Sequence, residues 1–565
     1  MADTIQGIFV HPPIAIARLG GSTTPQDAYR WVEAPNPRSK GETTIEPDWS
    51  LVVQSDATVD PVMPDFLSFR DGALIRPVCP FFEVWALLGQ AGSDPSTWKE
   101  APLTPDLLAT SGASPSDLVF AVDAKNFKAA RRTGNAELRY GTFPPLQVKG
   151  DNHAPAPIFA ASPPGVPASR RMIPTGQTIP LGAFQVLKSR PQPAPAVALG
   201  WTQLVEGRPL VNVEVVRARL TPARGHSYGP PSAADPQKLP GNLSFAPVDQ
   251  SRAFLNAAAG WANANIANSA PDAPQDTYDG ADAGNNRSLG VVDDTCEARI
   301  AVSLSLPAPA RVLTASACVF VGPPDFAPDR RPFLSLADEL NDRAGDSHER
   351  TALLSESERD TWVEDLFERI YETMSLLNVD FWRREKALIL TGSRLAPVPI
   401  ANDKTREPSR AMSGRDALRN RSFALPDVST DIKLPLTQHA RDRHRALSGL
   451  EALRDFVNQN RGRLGALIRR PFEAEQKETS DGIGTTTMRM PPFMRNSNAG
   501  PLTLAAWQYD LVMAWVQAIE TQPLPAAALA ATARPRRISD AAVQRREQVL
   551  TRLARTRRLR PAQDQ

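Results

Sequence analysis

The sequence predicts an α+β fold, in which a β-rich N-terminal part with long proline-rich loops precedes a mainly helical part and a basic tail. Three observations support this prediction: β-type runs before residue 330, helical periodicity after it, and 54 prolines against 33 glycines. Proline removes a backbone donor and fixes φ, so long helices and central strands must lie between prolines. We place the domain limits at 1–330, 331–520 and 521–565.

Short strands alternate with turn residues through the first part of the chain. The clearest runs are GIFVHPPIAIARLG, DLVFAVDA, LVNVEVVRARL, RIAVSLSLP and ARVLTASACVFVG. Aliphatic and β-branched runs bounded by glycine and proline are typical of strands. Two long loops are predicted, the proline-rich segment 150–175 and the polar segment 268–288.

Helical periodicity begins with SESERDTWVEDLFERIYETMSLL, where Ser355 and Glu358 stand at capping-box spacing. The segment LSGLEALRDFVNQNRGRLGALIRR repeats the pattern, and Thr503 is predicted to cap a last helix. Residues that recur every three or four positions form one helix face. For the last helix this face is Leu504, Trp507, Leu511, Ala514 and Trp515. We therefore interpret its aromatic stripe as core.

Composition places the chain among globular proteins. Its 565 residues are 41% apolar and 22% charged. No apolar run of about 18 residues occurs, so no membrane span is expected. The N-terminus lacks the pattern of a Sec signal peptide, so we expect a cytoplasmic protein and leave non-classical export open. Three cysteines in so long a chain indicate buried thiols in a reducing compartment.

The charge of the chain is segregated. Ten arginines against Asp540 and Glu547 give the segment 534–560 a local charge of +8, which leaves −6 of the total of +2 for the rest. Basic helices bind nucleic acid, anionic lipid or acidic proteins. No aromatic residues alternate with these arginines, which disfavours nucleic acid. A solvated terminus is the favoured interpretation.

GHSYG, residues 225–229, matches the G-x-S-x-G pattern of a nucleophile elbow. That motif needs a helix directly after the serine, and the sequence continues instead with PPSAADPQKLPG. We therefore interpret GHSYG as a strand-to-loop turn. ARLGGS, residues 17–22, lacks the G-K-[ST] ending of a phosphate loop.

The histidines and the acidic loop do not predict a metal site. The six histidines are scattered, and His439 and His444 do not share a helix face. Asp276, Asp279 and Asp282 lack the spacing of a calcium loop. We assign no metal ligand and no cofactor-binding residue.

Asp293, Asp294 and Cys296 are the candidate catalytic residues, because they form the only acid–thiol cluster of the sequence. Cys79 lies near Trp85 in PVCPFFEVW, and Cys318 lies in the apolar run ASACVFVG. The favoured interpretation of all three cysteines is a structural thiol.

Four segments together resemble the cysteine tryptophylquinone amino-acid oxidases, the group of L-lysine ε-oxidase and glycine oxidase. They are VHPPIAIARLGGS, FRDGALIRPVCPFFEVWAL, LGVVDDTCEARIAVSL and MPPFMRNSNAGPLTLAAWQYDLVMAWV. The resemblance implies an oxidase-like body over most of residues 8–516. In that family a tryptophan is converted to a quinone and joined to a cysteine, with a nearby aspartate and a separate flavoprotein for maturation. The quinone then forms a Schiff base with the substrate amine.

The resemblance also implies that the cofactor segment lies beyond the last helix. The fifty residues after Trp515 contain no cysteine and no tryptophan. We therefore favour a quinone-less, catalytically silent relative without a cofactor. It would bind a partner protein, a second copy of the chain or an amine-bearing small molecule. One alternative is an active amine or amino-acid oxidoreductase with a non-standard Cys/Trp cofactor, and another is an interaction protein that docks through its basic tail.

Overall fold

The computed structural model describes residues 3–33, 43–190, 213–235, 247–262, 290–325, 354–374, 450–459 and 503–522, with short pieces at 327–328, 330–335, 338, 342, 461–462, 468–469 and 471. The chain divides into two units. The first consists of Met1–Arg30 and Glu46–Phe326, and the second of Trp31–Ile45 and Ala327–Gln565. The domain limits at 330 and 520 stay predictions.

The described residues are rich in strands. In chain order these are β1 (Thr4–His11), β2 (Ile14–Arg18), β3 (Tyr29–Glu33), β4 (Thr43–Pro47), β5 (Ser50–Val53), β6 (Val59–Val62), β7 (Arg70–Asp71), β8 (Leu74–Ile75), β9 (Phe81–Gly89), β10 (Lys99–Pro102), β11 (Leu118–Asn126), β12 (Tyr140–Gly141), β13 (Leu146–Lys149), β14 (Ala156–Ala160), β15 (Ile179–Leu187), β16 (Arg217–Pro222), β17 (Ser227–Tyr228), β18 (Val292–Asp293), β19 (Glu297–Pro307) and β20 (Ala310–Gly322).

Fewer helices are described than strands. They are α1 (Pro105–Thr110), α2 (Lys128–Thr133), α3 (Glu356–Met374), α4 (Leu450–Gln459) and α5 (Ala506–Glu520). The predicted β-rich character of the fold is therefore confirmed. The predicted loop 268–288 lies outside the described residues, as does the tail from residue 523 onward.

Two six-stranded sheets form the first unit. One has the order β1-β9-β16-β15-β14, with β10 also on β9, and the other has the order β12-β11-β19-β20-β2, with β13 also on β11. Neighbouring strands are antiparallel, except that β2 runs parallel to β20. The strand pairs β3–β4, β5–β6, β7–β8 and β17–β18 are separate two-stranded ribbons.

The two large sheets pack face to face. Burial alternates along β11, so that Phe120 and Val122 point inward while Asp123 and Lys125 stay on the outer face. The ring of Phe120 lies 5.6 Å from the ring of Phe184, which belongs to the other sheet. Because both inner faces contribute to one apolar core, the first unit is a β-sandwich.

Helices α3, α4 and α5 share the core of the second unit. Their buried residues include Trp362, Leu366, Ile370, Leu453, Val457, Trp507, Leu511 and Trp515. The predicted apolar face of the last helix is confirmed at these aromatic positions, while Ala514 is half-buried. No helix in the described part of the chain combines the length and the apolar character needed to cross a membrane.

The two predicted helix starts have different outcomes. Ser355 N donates to Glu358 Oε2 at 2.9 Å and Glu358 N donates to Ser355 Oγ at 3.3 Å, which confirms the capping box of α3. The predicted cap at Thr503 is wrong, because the N-cap of α5 is Ala505. Asp342, far away in sequence, accepts hydrogen bonds from the backbone N–H groups of Ala506 and Trp507. Its carboxylate satisfies the free donors that the Thr503 hydroxyl was expected to satisfy.

A buried ionic network ties segment 331–333 to the helices. Asp365 accepts a hydrogen bond from Arg331 Nη1 at 2.6 Å, and its Oδ2 lies 3.0 Å from Arg369 Nε as an ion pair. The backbone carbonyl of Phe333 accepts from Arg369 at 3.3 Å and from Gln508 at 3.0 Å. Because these charges are paired and hydrogen-bonded, the network fixes the position of the segment without leaving a bare charge in the interior.

Truncation of Trp507 tests whether α5 is a core helix. Trp507 is 5% exposed, and its ring packs edge-to-face against Trp362 at 5.0 Å. We expect Trp507→Ala to lower the free energy of unfolding by about 3–5 kcal/mol, measured by chemical denaturation. Gln517→Ala, at an exposed position of the same helix, is the matched control and should change stability by less than about 0.5 kcal/mol. Equal stability of the two variants would show that α5 is peripheral.

Candidate functional site

The structure brings two sequence motifs together at one ribbon. Strand β17 of GHSYG pairs antiparallel with β18 of VDDTC, with Ser227 opposite Asp293 and Tyr228 opposite Val292. A 3₁₀ turn, Pro231–Ala234, follows GHSYG where an elbow would need an α-helix. This agrees with the interpretation of GHSYG as a strand-to-loop turn.

Asp294 lies beneath this turn and fixes its backbone. It is 1% exposed, and its Oδ2 accepts hydrogen bonds from the N–H groups of Gly225 at 3.2 Å and His226 at 2.8 Å. Its Oδ1 is buried without a hydrogen-bond partner in the described residues. Burial is the main cause that raises the pKa of Asp294 to about 6, although the backbone hydrogen bonds act in the opposite direction. Asp294 is therefore a carboxyl group that titrates near neutral pH.

Asp293, the preceding residue, accepts hydrogen bonds from several side chains. Its carboxylate accepts hydrogen bonds from Thr295 Oγ1 at 2.7 Å, Asn126 Nδ2 at 3.2 Å and Lys128 Nζ at 2.5 Å. Its backbone carbonyl accepts the Tyr140 hydroxyl at 2.6 Å. Asp293 is thus hydrogen-bonded to the end of β11, to the start of α2 and to β12. The two neighbouring acids therefore hold different parts of the fold together.

Cys296 lies in the core next to the acids. It is 3% exposed, and burial raises the pKa of its thiol to about 12, with a smaller contribution from the negative charges of Asp294 and Asp293. The thiolate is the reactive form of cysteine. Burial therefore keeps this thiol protonated, and the carboxylates that made the cluster a candidate act in the same direction.

The other two cysteines lie elsewhere. Cys79 is 8% exposed, and burial raises the pKa of its thiol to about 11, against the opposing charge of Arg219. Cys318 is half-buried on the outer face of the second sheet, opposite Arg299 on β19 and Ile14 on β2. The structure therefore does not bring the three thiols together at the candidate site.

Cys79 and Trp85 do not fit a sulfur–ring cross-link. Arg219 lies opposite Phe81 on the strand ladder, and the Cys79 thiol contacts the Thr221 hydroxyl further along β16. The chain is thus extended from Cys79 to Trp85, and six residues at about 3.3 Å each separate them by roughly 20 Å. A direct bond between the two side chains cannot span this distance.

The Trp85 indole already has structural partners. Its Nε1 donates to Glu83 Oε2 at 3.1 Å, and its ring stacks on Phe9 at 6.2 Å. Glu83 in turn forms a buried ion pair with Arg217 at 2.6 Å. These contacts explain the position of Trp85 on the sheet without a cofactor.

A shallow cleft of about 420 Å³ lies on the outer face of the second sheet. Its lining residues are Ala121, Arg299, Ala301, Val302, Ser303, Thr314, Ala315 and Ser316. None of the three candidate residues lines it. Within the part of the chain that the structure describes, no three His, Cys, Asp or Glu side chains are placed to hold a metal ion.

The sequence did not identify the partners of the acid pair. Gly225 and His226 act through backbone N–H groups, which no side-chain motif reveals. Asn126 and Lys128 lie more than 160 positions before Asp293, with sequence separations of 167 and 165. Asp293 and Asp294 lie next to GHSYG because β17 and β18 pair in the folded chain. Local residue spacing does not reveal this pairing.

Replacement of Asp294 by Asn tests its burial. Because the pKa of Asp294 is higher in the folded protein than its ordinary value of 3.8, protonation favours the folded state. This contribution is complete below that ordinary value and is lost as the pH rises through about 6. Asp294→Asn removes the titration and keeps an oxygen for the N–H groups of Gly225 and His226.

We expect the stability of the wild type relative to Asp294→Asn to increase by up to about 3 kcal/mol as the pH falls from about 7.5 to about 4. Thermal or chemical unfolding of both proteins across this range measures it. Asp65→Asn, at an exposed acid, is the control and should show a nearly constant difference. A constant difference for Asp294→Asn as well would contradict the buried, titrating carboxyl group.

This chain is similar to several solved structures. No family model matches the chain, and no curated protein matches it. The Schiff-base intermediate of L-Lys ε-oxidase from Marinomonas mediterranea with L-Lys is similar at 15% identity and a TM-score of 0.39. Two further structures of that organism's lysine oxidase match at 14% and 13% identity, with TM-scores of 0.39 and 0.33.

Each of these matches covers 94% of this chain and 64% of the other chain. This chain therefore spans less than two thirds of the length of that oxidase. The structures belong to the oxidase group that the sequence segments resemble.

Proposed function

We propose that this chain is a quinone-less relative of the cysteine tryptophylquinone oxidases and acts by binding, not by catalysis. The observation that supports this most is the burial of the acid–thiol cluster, in which the exposed fraction is 1% for Asp294 and 3% for Cys296. A catalytic acid, base or nucleophile has to reach its substrate. Both side chains are instead engaged in the packing and backbone hydrogen bonding of the sandwich.

The state of the thiols supports the same proposal. Cys79 and Cys296 have raised pKa values of about 11 and about 12, so both are neutral thiols at neutral pH. The pair of Cys79 with Trp85 does not fit a cross-link because the extended chain separates them. The family's cofactor chemistry therefore has no support in these residues.

The proposed ligands are those that a silent oxidase body would retain. They are an amine-bearing small molecule, a partner protein or a second copy of the chain. The basic tail remains a proposed docking segment for an acidic partner, on the strength of its charge alone.

One observation favours an active amine or amino-acid oxidoreductase as the second candidate. The pKa of Asp294 is about 6, in the range that suits a general base near neutral pH. This candidate needs substrate access to Asp294 and a modified Cys/Trp pair. It predicts hydrogen peroxide release from a primary amine such as L-lysine, whereas the binding proposal predicts none.

Thiol reactivity tests the proposal directly. We expect native protein to react with at most one equivalent of a thiol reagent, at the half-buried Cys318, and unfolded protein to react with three equivalents. Peptide mass spectrometry after labelling identifies the modified residue. Cys318→Ser is the matched control and should make the native protein unreactive.

Rapid labelling of native Cys296 would contradict the proposal, because it would show an accessible and activated thiol beside the two acids. If one of the three cysteines did not react even in unfolded protein, the proposal would also be contradicted, since a cross-linked cysteine has no free thiol.

A further inference from the structure

Two chain segments meet at the surface above Asp294. The turn at Gly225 and His226 is held from below by the Asp294 carboxylate, at 3.2 and 2.8 Å. Segment 249–255 lies alongside, because Gly229 N donates to Arg252 O at 3.1 Å and Leu255 N donates to Gly229 O at 2.8 Å. The side chains of the two segments are therefore held next to each other by backbone contacts.

These two segments carry three nitrogen-bearing side chains, those of Arg224, His226 and Arg252. Arg224 is exposed, whereas His226 and Arg252 are half-buried. Burial lowers the pKa of His226, and the nearby guanidinium groups of Arg252 and Arg224 lower it further. The imidazole is therefore neutral near neutral pH and lies close to two permanent positive charges.

Protein acids satisfy these charges only in part. Arg252 Nη2 lies 4.0 Å from Asp249 Oδ2, which is too far for a hydrogen bond. Asp249 Oδ1 instead accepts from Ser251 N at 2.9 Å and Ser251 Oγ at 2.5 Å. Arg224 has no ion pair with any residue that the structure describes. Two guanidinium groups with donors unused in the described residues thus lie near enough to the His226 imidazole to influence its pKa.

We propose that Arg224, His226 and Arg252 form a surface binding site for a small oxyanion, either a carboxylate or a phosphate group. Planar guanidinium groups recognise both through paired hydrogen bonds. The imidazole supplies a further donor from its neutral form. The proposal deepens the proposed binding function by naming the ligand class and rests on it. The site does not involve the thiols, so its test and the thiol test fail independently.

Titration of the full-length protein with inorganic phosphate and, separately, with acetate tests the site at constant ionic strength set with sodium chloride. Isothermal titration calorimetry measures both affinities. We expect Arg224→Gln to weaken binding at least about tenfold, the loss that follows from one charge-assisted hydrogen bond. Because Arg224 is exposed and unpaired in the described residues, this variant should fold normally. Arg252→Gln should weaken binding by a similar factor.

Two further variants make the test specific. Arg299→Gln removes an exposed arginine from the outer face of the second sheet and should leave both affinities unchanged. Asp249→Asn removes the carboxylate that competes for Arg252 and should strengthen binding several-fold. Binding of phosphate alone assigns the site to phosphate-bearing ligands, and binding of acetate assigns it to carboxylates.

Three results would overturn the proposal. One is that neither anion binds more tightly than chloride. Another is that Arg224→Gln binds as well as the wild type. The third is that Arg299→Gln weakens binding as much as Arg224→Gln, which would reduce the effect to overall net charge.

Discussion

The hydrogen bonds from Gly225 and His226 to the buried Asp294 carboxylate are the contacts on which this end of the sandwich depends. They hold the turn before β17 against the strand that leads into β19. The neighbouring Asp293 accepts hydrogen bonds from Asn126, Lys128 and the Tyr140 hydroxyl. Three other segments, at residues 126–128, 140 and 225–226, thus meet at two consecutive acids. A buried carboxylate costs free energy unless its oxygens are bonded, and the two bonds to Oδ2 offset part of this cost for Asp294, whose Oδ1 has no hydrogen-bond partner in the described residues.

The same electrostatics determine what the cluster can do. Burial and the charge of Asp293 raise the pKa of Asp294, and burial with both acids raises the pKa of Cys296. Negative charges next to a buried thiol disfavour its thiolate form. Proximity of residues that look catalytic therefore produces the opposite of an activated thiol. On this basis we interpret the cluster as structural, which supports the proposed binding role.

The parts of the fold that depend on local patterns could be predicted from the sequence. The alternation in β11, the capping box of Ser355 and Glu358, and the aromatic face of α5 all follow from residue spacing within a few positions. The helix cap at Asp342 and the ribbon between GHSYG and VDDTC could not be predicted, because both join residues far apart in the chain. For the candidate site, the sequence identified the acids and the thiol but not the backbone donors that explain them.

We propose that the three cysteines of this chain are free structural thiols. Intact-mass spectrometry of protein co-expressed with its genomic neighbours, followed by peptide mapping of Cys79, Cys296 and Cys318, tests it most directly. Our interpretation predicts the mass of the unmodified sequence and three unmodified cysteine-containing peptides. A mass shift with a cysteine peptide joined to a tryptophan peptide, accompanied by a visible quinone absorption band, would contradict it.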